Sequence, residues 1–302
     1  MKKVFLAVNL VFALLLMAFF VNLLDLSPLV KTLEKADLGI ALAAALLYAC
    51  VQLVNFLRIA RIIGDYSPSV LLAHFAGVAA SDYTPGRSGY SLAFYAMKKI
   101  GVPFSKSLKA TGVIFATDFA SRALAALALV AVFSPSFLPI ALAMVLASCI
   151  LFASFFRKSK RASWAFSRLP FIGKKASLFY DSVLKNRVSP MEIAISFLLS
   201  VLGALFRGAA WALVFYAIGV KIDLPWLFFS LTLFSSVLTA ISIIPVSLAG
   251  IGVQEATGAV VLSAFLGLSV STAGVGLILA RAMELSTDLV LAAPWFVNNF
   301  KG

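Results

Sequence analysis

Nine ionisable side chains stand in stretches that are otherwise apolar enough to lie inside a membrane. Five are acids, Asp82, Asp118, Glu255, Glu284 and Asp288, and four are arginines, Arg87, Arg122, Arg207 and Arg281. An isolated charge at the bilayer centre costs roughly 2.5–3.5 kcal/mol on the insertion scale, so nine unpaired groups would cost on the order of 25 kcal/mol. They must pair with one another or line a wet cavity. Arginine in preference to lysine at depth fits a weakly hydrated guanidinium, whose five-donor fork can hold a carboxylate or a phosphate diester bidentately. The chemistry to expect is anion and headgroup binding. No nucleophile–base pair, metal-ligand spacing or cofactor motif stands at usable spacing, so no catalytic residue, metal or cofactor is expected.

Spacing groups these charges. Asp118 and Arg122 are four residues apart on one expected helix and can neutralise each other locally. Arg281, Glu284 and Asp288 fall at i, i+3 and i+7, on one helical stripe facing the bundle interior or a cavity. Two acids to one base leave a negative excess there, to be met by Arg207, Arg87 or a cationic substrate group. Gly101 to Asp118 and Gly267 to Glu284 are both 17 residues, and Gly101 to Arg122 and Gly267 to Asp288 are both 21.

Each charged helix follows a break in an apolar stretch. The first break is Thr84-Pro85-Gly86-Arg87-Ser88-Gly89; the second is Pro245 with Gly250-Ile251-Gly252-Val253-Gln254-Glu255. Paired Gly/Pro interruptions in corresponding halves of a membrane protein point to a transport site near the bilayer midplane. Gly86, Gly89, Gly250 and Gly252 permit positive φ and close backbone approach, and the helix after each break aims its free N–H groups at the tip. Arg87 would reinforce an anion at the first tip, whereas Glu255 would oppose one at the second unless paired. The competing reading is structural: small residues let two short arms pack. His74, the single histidine, lies mid-hairpin and is either a packed imidazole or a proton-coupling group.

The elements that position these residues follow from composition. Over 302 residues, 62% are hydrophobic and 12% charged, and the mean hydropathy is +1.05, beyond any ordinary globular domain. The fold expected is an all-α polytopic membrane protein, with six full spans over residues 4–24, 38–57, 109–133, 137–156, 193–219 and 270–296. Arg58 and Arg61 read as cytoplasmic flanking charges, as do Lys98, Lys99 and Lys106, so the stretch between must enter and return on one side. Two re-entrant helical hairpins result, with arms over 69–83 and 88–97 and over 226–244 and 255–266. They make an inverted-topology repeat within a single transmembrane domain: an extra N-terminal helix at 1–36, a first repeat at 37–156, a basic cytoplasmic connector at 157–189 and an inverted second repeat at 190–302. Both termini are placed in the cytoplasm, in the cell membrane. The net charge of +13 gathers in the connector, where nine Lys or Arg between 157 and 187 face the single acid Asp181, which suits an anionic leaflet and not nucleic acid. Cys50 and Cys149 read as packed thiols.

Ile244-Pro245 through Gly250-Ile251-Gly252-Val253-Gln254-Glu255-Ala256, then Leu266-Gly267-Leu268 and Arg281, resemble a signature of the lysylphosphatidylglycerol synthase transmembrane region family: P-x(4)-G-x-G-V-x-E-A, a small loop and an intramembrane Arg. Pro85-Gly86-Arg87-Ser88-Gly89 with Gly101-Val102-Pro103 resembles its first-half signature. The resemblance runs over essentially the whole chain. It implies kinship with the flippase half of the multiple peptide resistance factor, which moves aminoacylated phosphatidylglycerol between leaflets, and with its stand-alone relatives. Tyr90, Phe94 and Gln254 stand where members often carry charge, which lowers the charge expected on the headgroup. The implied function is lipid translocation and not enzymatic catalysis, with membrane phospholipids of anionic or aminoacylated headgroup as partners and any lipid-modifying enzyme as a separate chain. The substrate-binding set expected is Gly86, Arg87, Gly89, Asp118, Arg122, Arg207, Gly250, Gly252, Gln254, Glu255, Arg281, Glu284 and Asp288, with hairpin breaks at Pro85 and Pro245. A secondary transporter of a small solute or ion is the alternative, and an intramembrane lipid-modifying enzyme a third reading.

Overall fold

Apolar runs with little interior Gly or Pro fold as helices, and those helices decide where the charges meet. The computed structural model describes residues 36–84, 89–156, 188–241 and 253–299. Among them there are nine α-helices, one 3₁₀ turn and no strand. In chain order the helices are α1 (Leu38–Ile63), α2 (Pro68–Asp82), α3 (Tyr90–Lys99), α4 (Phe104–Val132), α5 (Leu138–Phe156), α6 (Pro190–Ala217), α7 (Leu224–Ile241), α8 (Val253–Leu266) and α9 (Val270–Asn299). The expected first span at 4–24, the basic run at 157–187 and the two tips at 85–88 and 242–252 lie outside the described residues.

Among the described residues four segments are long and apolar enough to cross a membrane: α1, α4, Pro135–Phe152 and α6. The 30-residue α9 has the length, but Arg281, Glu284 and Asp288 interrupt its apolar character. By contrast α2 has 15 residues, α3 has 10 and α8 has 14. At 1.5 Å per residue, 15 residues reach about 22 Å, short of a ~30 Å hydrocarbon core.

Helix ends follow local chemistry. The Asp37 carboxylate accepts from the amides of Gly39 and Ile40 at 2.8 and 3.1 Å to begin α1. At the start of α6, Ser189 and Glu192 cap each other's backbone N–H at 3.1 and 2.9 Å, a capping box. The expected span 38–57 runs on to Ile63, where Gly64 turns left-handed with φ 72°. Positive φ recurs at Gly219, Gly101 and Gly267. Gly64 and Gly219 thus follow α1 and α6, while Gly101 and Gly267 follow α3 and α8. Gly89, expected to use positive φ, instead has φ −61°. What it supplies is space, because a Cβ there would overlap the Ala80 carbonyl; a Cβ on Gly77 would likewise overlap Ala93 across the α2–α3 pair.

The packing has a two-fold pattern. α1 lies against α6 at the centre, α2 pairs with α3 and α7 with α8. α2 rests on α9, as α7 rests on α4, and α4 also contacts α6, as α9 contacts α1. Exchanging α1–α4 for α6–α9 maps each of these neighbours onto another. The outer ends of α2 and α3 pack with Ile63 and with Trp295 near the end of α9, where Lys99 donates to Asn299 at 2.8 Å. The outer ends of α7 and α8 pack at the opposite end, where Phe133 meets Trp226 and Phe265 at centroid distances of 5.4 and 5.6 Å. Each helix pair therefore enters the bundle from its own end.

Candidate functional site

In the first half, charge is organised around Arg58 of α1, which is 2% exposed. Its Nη2 lies 2.7 Å from Asp118 Oδ1 on α4. The rest of its fork is also engaged: Nε donates to Ser196 at 3.2 Å, Nη1 to Asn55 at 3.0 Å and Nη2 to Thr117 at 2.8 Å. Ser200 of α6 donates to Asp118 at 2.7 Å. Arg122, one turn further on, lies 3.8 Å from Asp118 Oδ2. The expected local pair is present, but it is the longer of the two that Asp118 makes. This cluster holds two guanidinium groups and one carboxylate.

The second half repeats the scheme with different chemistry. Arg207 of α6 reaches Glu284 of α9 at 3.0 Å, and Arg281 reaches the other oxygen of Glu284 at 3.1 Å. Trp211 donates its indole N–H to Glu284 at 3.0 Å, so this carboxylate is well satisfied. Arg281 also approaches Asp82, the last residue of α2, at 3.5 Å. With Glu255 near the start of α8, it borders a narrow crevice beside Trp211 and Leu277. Both helix pairs therefore bring an acid to Arg281, midway along α9. Further along α9, Asp288 accepts from the Tyr48 hydroxyl at 2.9 Å, and Gln52 donates to that hydroxyl at 2.9 Å. Here two arginines face four acids.

A polar cavity of about 70 Å³ lies between the clusters. Its lining includes Arg58, Asp118 and Arg122 from the first cluster and Asp82 and Arg207 from the second, together with Tyr48, Gln52, Asn55, Ser121, Ser200 and Ser236. With liquid water occupying about 30 Å³ per molecule, this is room for a few waters. A second cavity of about 40 Å³ shares Asn55, Tyr90, Asp118 and Arg122 with it and continues past His74, Phe115 and Met97. His74 is 3% exposed, and its ring centroid lies 5.8 Å from that of Phe75.

The expected site residues divide into three groups. Asp118, Arg122 and Arg207 line the main cavity; Glu255, Arg281, Glu284 and Asp288 are buried beside it among ion pairs and hydrogen bonds. Gly89 serves helix packing. Pro85, Gly86, Arg87, Pro245, Gly250 and Gly252, and the side chain of Gln254, lie outside the described residues. Arg58 corrects the sequence reading, which placed it at the cytoplasmic edge; because α1 continues to Ile63, Arg58 is inside the core. Tyr48, Gln52, Asn55 and Arg58 recur at spacings of four, three and three on α1, a polar helical stripe visible in the sequence that marks this wall.

A family model described as Lysylphosphatidylglycerol synthase TM region matches residues 6–292. Comparison with curated proteins gives no match.

Proposed function

The chain belongs to the lysylphosphatidylglycerol synthase transmembrane-region family, and from that premise we propose that it is a lipid translocase, passing a phospholipid headgroup between leaflets while the acyl tails stay in the bilayer. The observation that carries this reading is the polar cavity, lined from the first cluster by Arg58 and Arg122 with Asp118 and from the second by Asp82 with Arg207. A phosphate diester suits the first wall, because an arginine fork can hold two of its oxygens. A cationic or amino headgroup suits the second. Arg122, which lines both cavities, is the phosphate contact in this reading, and Arg58, which holds Asp118, Ser196, Asn55 and Thr117, is a positioning residue.

In this reading the α2–α3 and α7–α8 pairs are re-entrant hairpins in an inverted repeat. The exchange pattern of the packing and the approach of the pairs from opposite ends support it. Basic residues at the ends of α1 and α3 support a cytoplasmic position for that end, in the cell membrane. A cavity of about 70 Å³ is too small for a phosphoglycerol headgroup. Loading therefore requires one half to rock on the other, opening the space between them.

The cavity's size also favours a second reading, secondary transport of a small solute. Reconstitution into vesicles with headgroup-labelled anionic, zwitterionic and polyprenyl-linked lipids separates the two. Accelerated leaflet exchange of at least one lipid is expected. Solute uptake without lipid exchange would replace the translocase reading.

A further inference from the structure

Tyr48, Gln52 and Asn55 of α1 line the polar cavity. A phenol has one hydrogen, and Tyr48 gives it to Asp288 at 2.9 Å, so the Tyr48 oxygen can only accept from Gln52, again at 2.9 Å. This fixes the Gln52 amide, with its nitrogen on Tyr48 and its oxygen turned away. Gln52 is 2% exposed, and that oxygen, Oε1, is buried with no hydrogen-bond partner. A buried amide oxygen left unpaired is costly, and a donor brought by a ligand recovers the loss.

The groups around it do not supply that donor. Ser121 gives its hydrogen to the Asp118 carbonyl at 2.9 Å, Ser200 to the Asp118 carboxylate at 2.7 Å and Ser236 to the Thr232 carbonyl at 2.8 Å. Arg207 is turned to Glu284 and Thr239, and Arg58 to Asp118, Ser196, Asn55 and Thr117. In the adjoining cavity His74 Nε2 is also buried without a partner. An imidazole nitrogen can give or accept, whereas an amide oxygen only accepts. Gln52 therefore specifies the missing chemistry, an O–H or N–H.

The level of Gln52 in the bundle says which ligand group must carry it. α1 and α4 run in opposite directions, since Ile63 packs in one cluster with Ala110, and Ala44 in another with Ala123 and Ala126. The two helices are tied at Arg58 and Asp118. From that tie Gln52 is six residues back along α1, about 9 Å, and Arg122 four residues on along α4, about 6 Å, in the same direction. Gln52 and Arg122 thus stand at nearly one level, both on the cavity. A phosphate diester held by Arg122 has Gln52 within the span of its headgroup.

We propose that Gln52 is a specificity-determining residue: its Oε1 accepts a hydrogen bond from the headgroup, so the site takes phosphodiester lipids whose headgroup carries an O–H or N–H and disfavours those with neither. Hydroxyl and ammonium headgroups share this chemistry, and an alkyl ester or a quaternary ammonium lacks it. The placement of phosphate on Arg122 and the movement of lipid rest on the translocase reading; the unpaired acceptor does not.

Two matched pairs of acyl-labelled lipids test this in vesicles holding the full chain. Phosphatidylglycerol and phosphatidylpropanol have equal charge, and only the first has hydroxyls. Dimethylated phosphatidylethanolamine and phosphatidylcholine differ by the one methyl that removes the last N–H. In the wild type the donor-bearing member of at least one pair should exchange about tenfold faster, and the pair that shows it identifies the donor. Gln52→Met, which keeps the length and removes the acceptor, should bring that ratio near one, with a melting curve to report folding. If it melts early, Gln52→Asn, which draws the acceptor back by one carbon, takes its place and should lower the ratio. Equal rates within both pairs in the wild type, or a ratio untouched in the variant, would overturn the proposal. Calorimetric binding of short-chain forms of the same lipids to the purified protein separates this from the larger claim. If no lipid exchanges, the translocase reading falls; a binding preference lost in the variant would still uphold the site, and equal or absent binding would overturn it.

Discussion

Arg58 and Arg122 show how two residues of one type take different parts. Arg58 is saturated: its side chain is 1% exposed and it holds Asp118, Ser196, Asn55 and Thr117. Removing one partner of a buried pair leaves the other charge uncompensated, so Arg58→Ala should cost about 3–5 kcal/mol of stability. Unfolding in micelles would show this, and Arg58→Lys should recover only part, because a point charge cannot reproduce the fork. Arg122 lies 3.8 Å from Asp118 and on the wall of both cavities. Arg122→Ala should cost less stability than Arg58→Ala, because Arg58 still neutralises Asp118. If a charge-assisted hydrogen bond to phosphate is worth about 1.5–3 kcal/mol, lipid exchange should fall at least about tenfold. The sequence exposed Arg122 because it stands mid-run in an apolar helix. It concealed Arg58, because an arginine just past an apolar run of spanning length looks like a flanking charge. Only the extension of α1 to Gly64, together with the Tyr48–Gln52–Asn55 stripe, reveals it.

Helix identities were legible because apolar runs and Gly or Pro punctuation coincide. The described helices occur where the hydropathy places them, with boundaries shifted by a few residues wherever capping decides the end. Side-chain partners across helices were not legible, since Arg58 to Asp118 and Arg207 to Glu284 are separated by long stretches of sequence. The left-handed glycines carry a prediction at this scale. Gly101 and Gly267 close equivalent helices with φ 88° and 65°. Valine at either position should cost about 1–2 kcal/mol from backbone strain alone, by thermal unfolding. Gly77 tests packing instead. A Cβ there would meet Ala93 of α3, so Gly77→Leu should part the α2–α3 pair and cost about 1–3 kcal/mol, whereas Gly77→Ala should cost less.

Taken whole, the molecule places a positive cluster and a negative cluster on either side of one cavity, at the junction of halves that exchange neighbours two by two. The proposed rocking would require α2 to move on α9. Ala79 and Ala292 pack in one buried cluster across that contact. With Cys50 and Cys149 replaced, cysteines at these two positions joined by a cleavable bifunctional reagent should stop lipid exchange, and cleavage should restore it. The family assignment links this architecture to lipid handling, and under the proposed function Arg122 would favour a phosphate diester headgroup. The most direct test is the leaflet-exchange rate of one headgroup-labelled anionic phospholipid, measured side by side in empty vesicles and in vesicles holding wild type or Arg122→Ala. The account predicts acceleration by the wild type and loss of most of it in the variant. Equal rates with and without protein, or equal rates for variant and wild type, would contradict it.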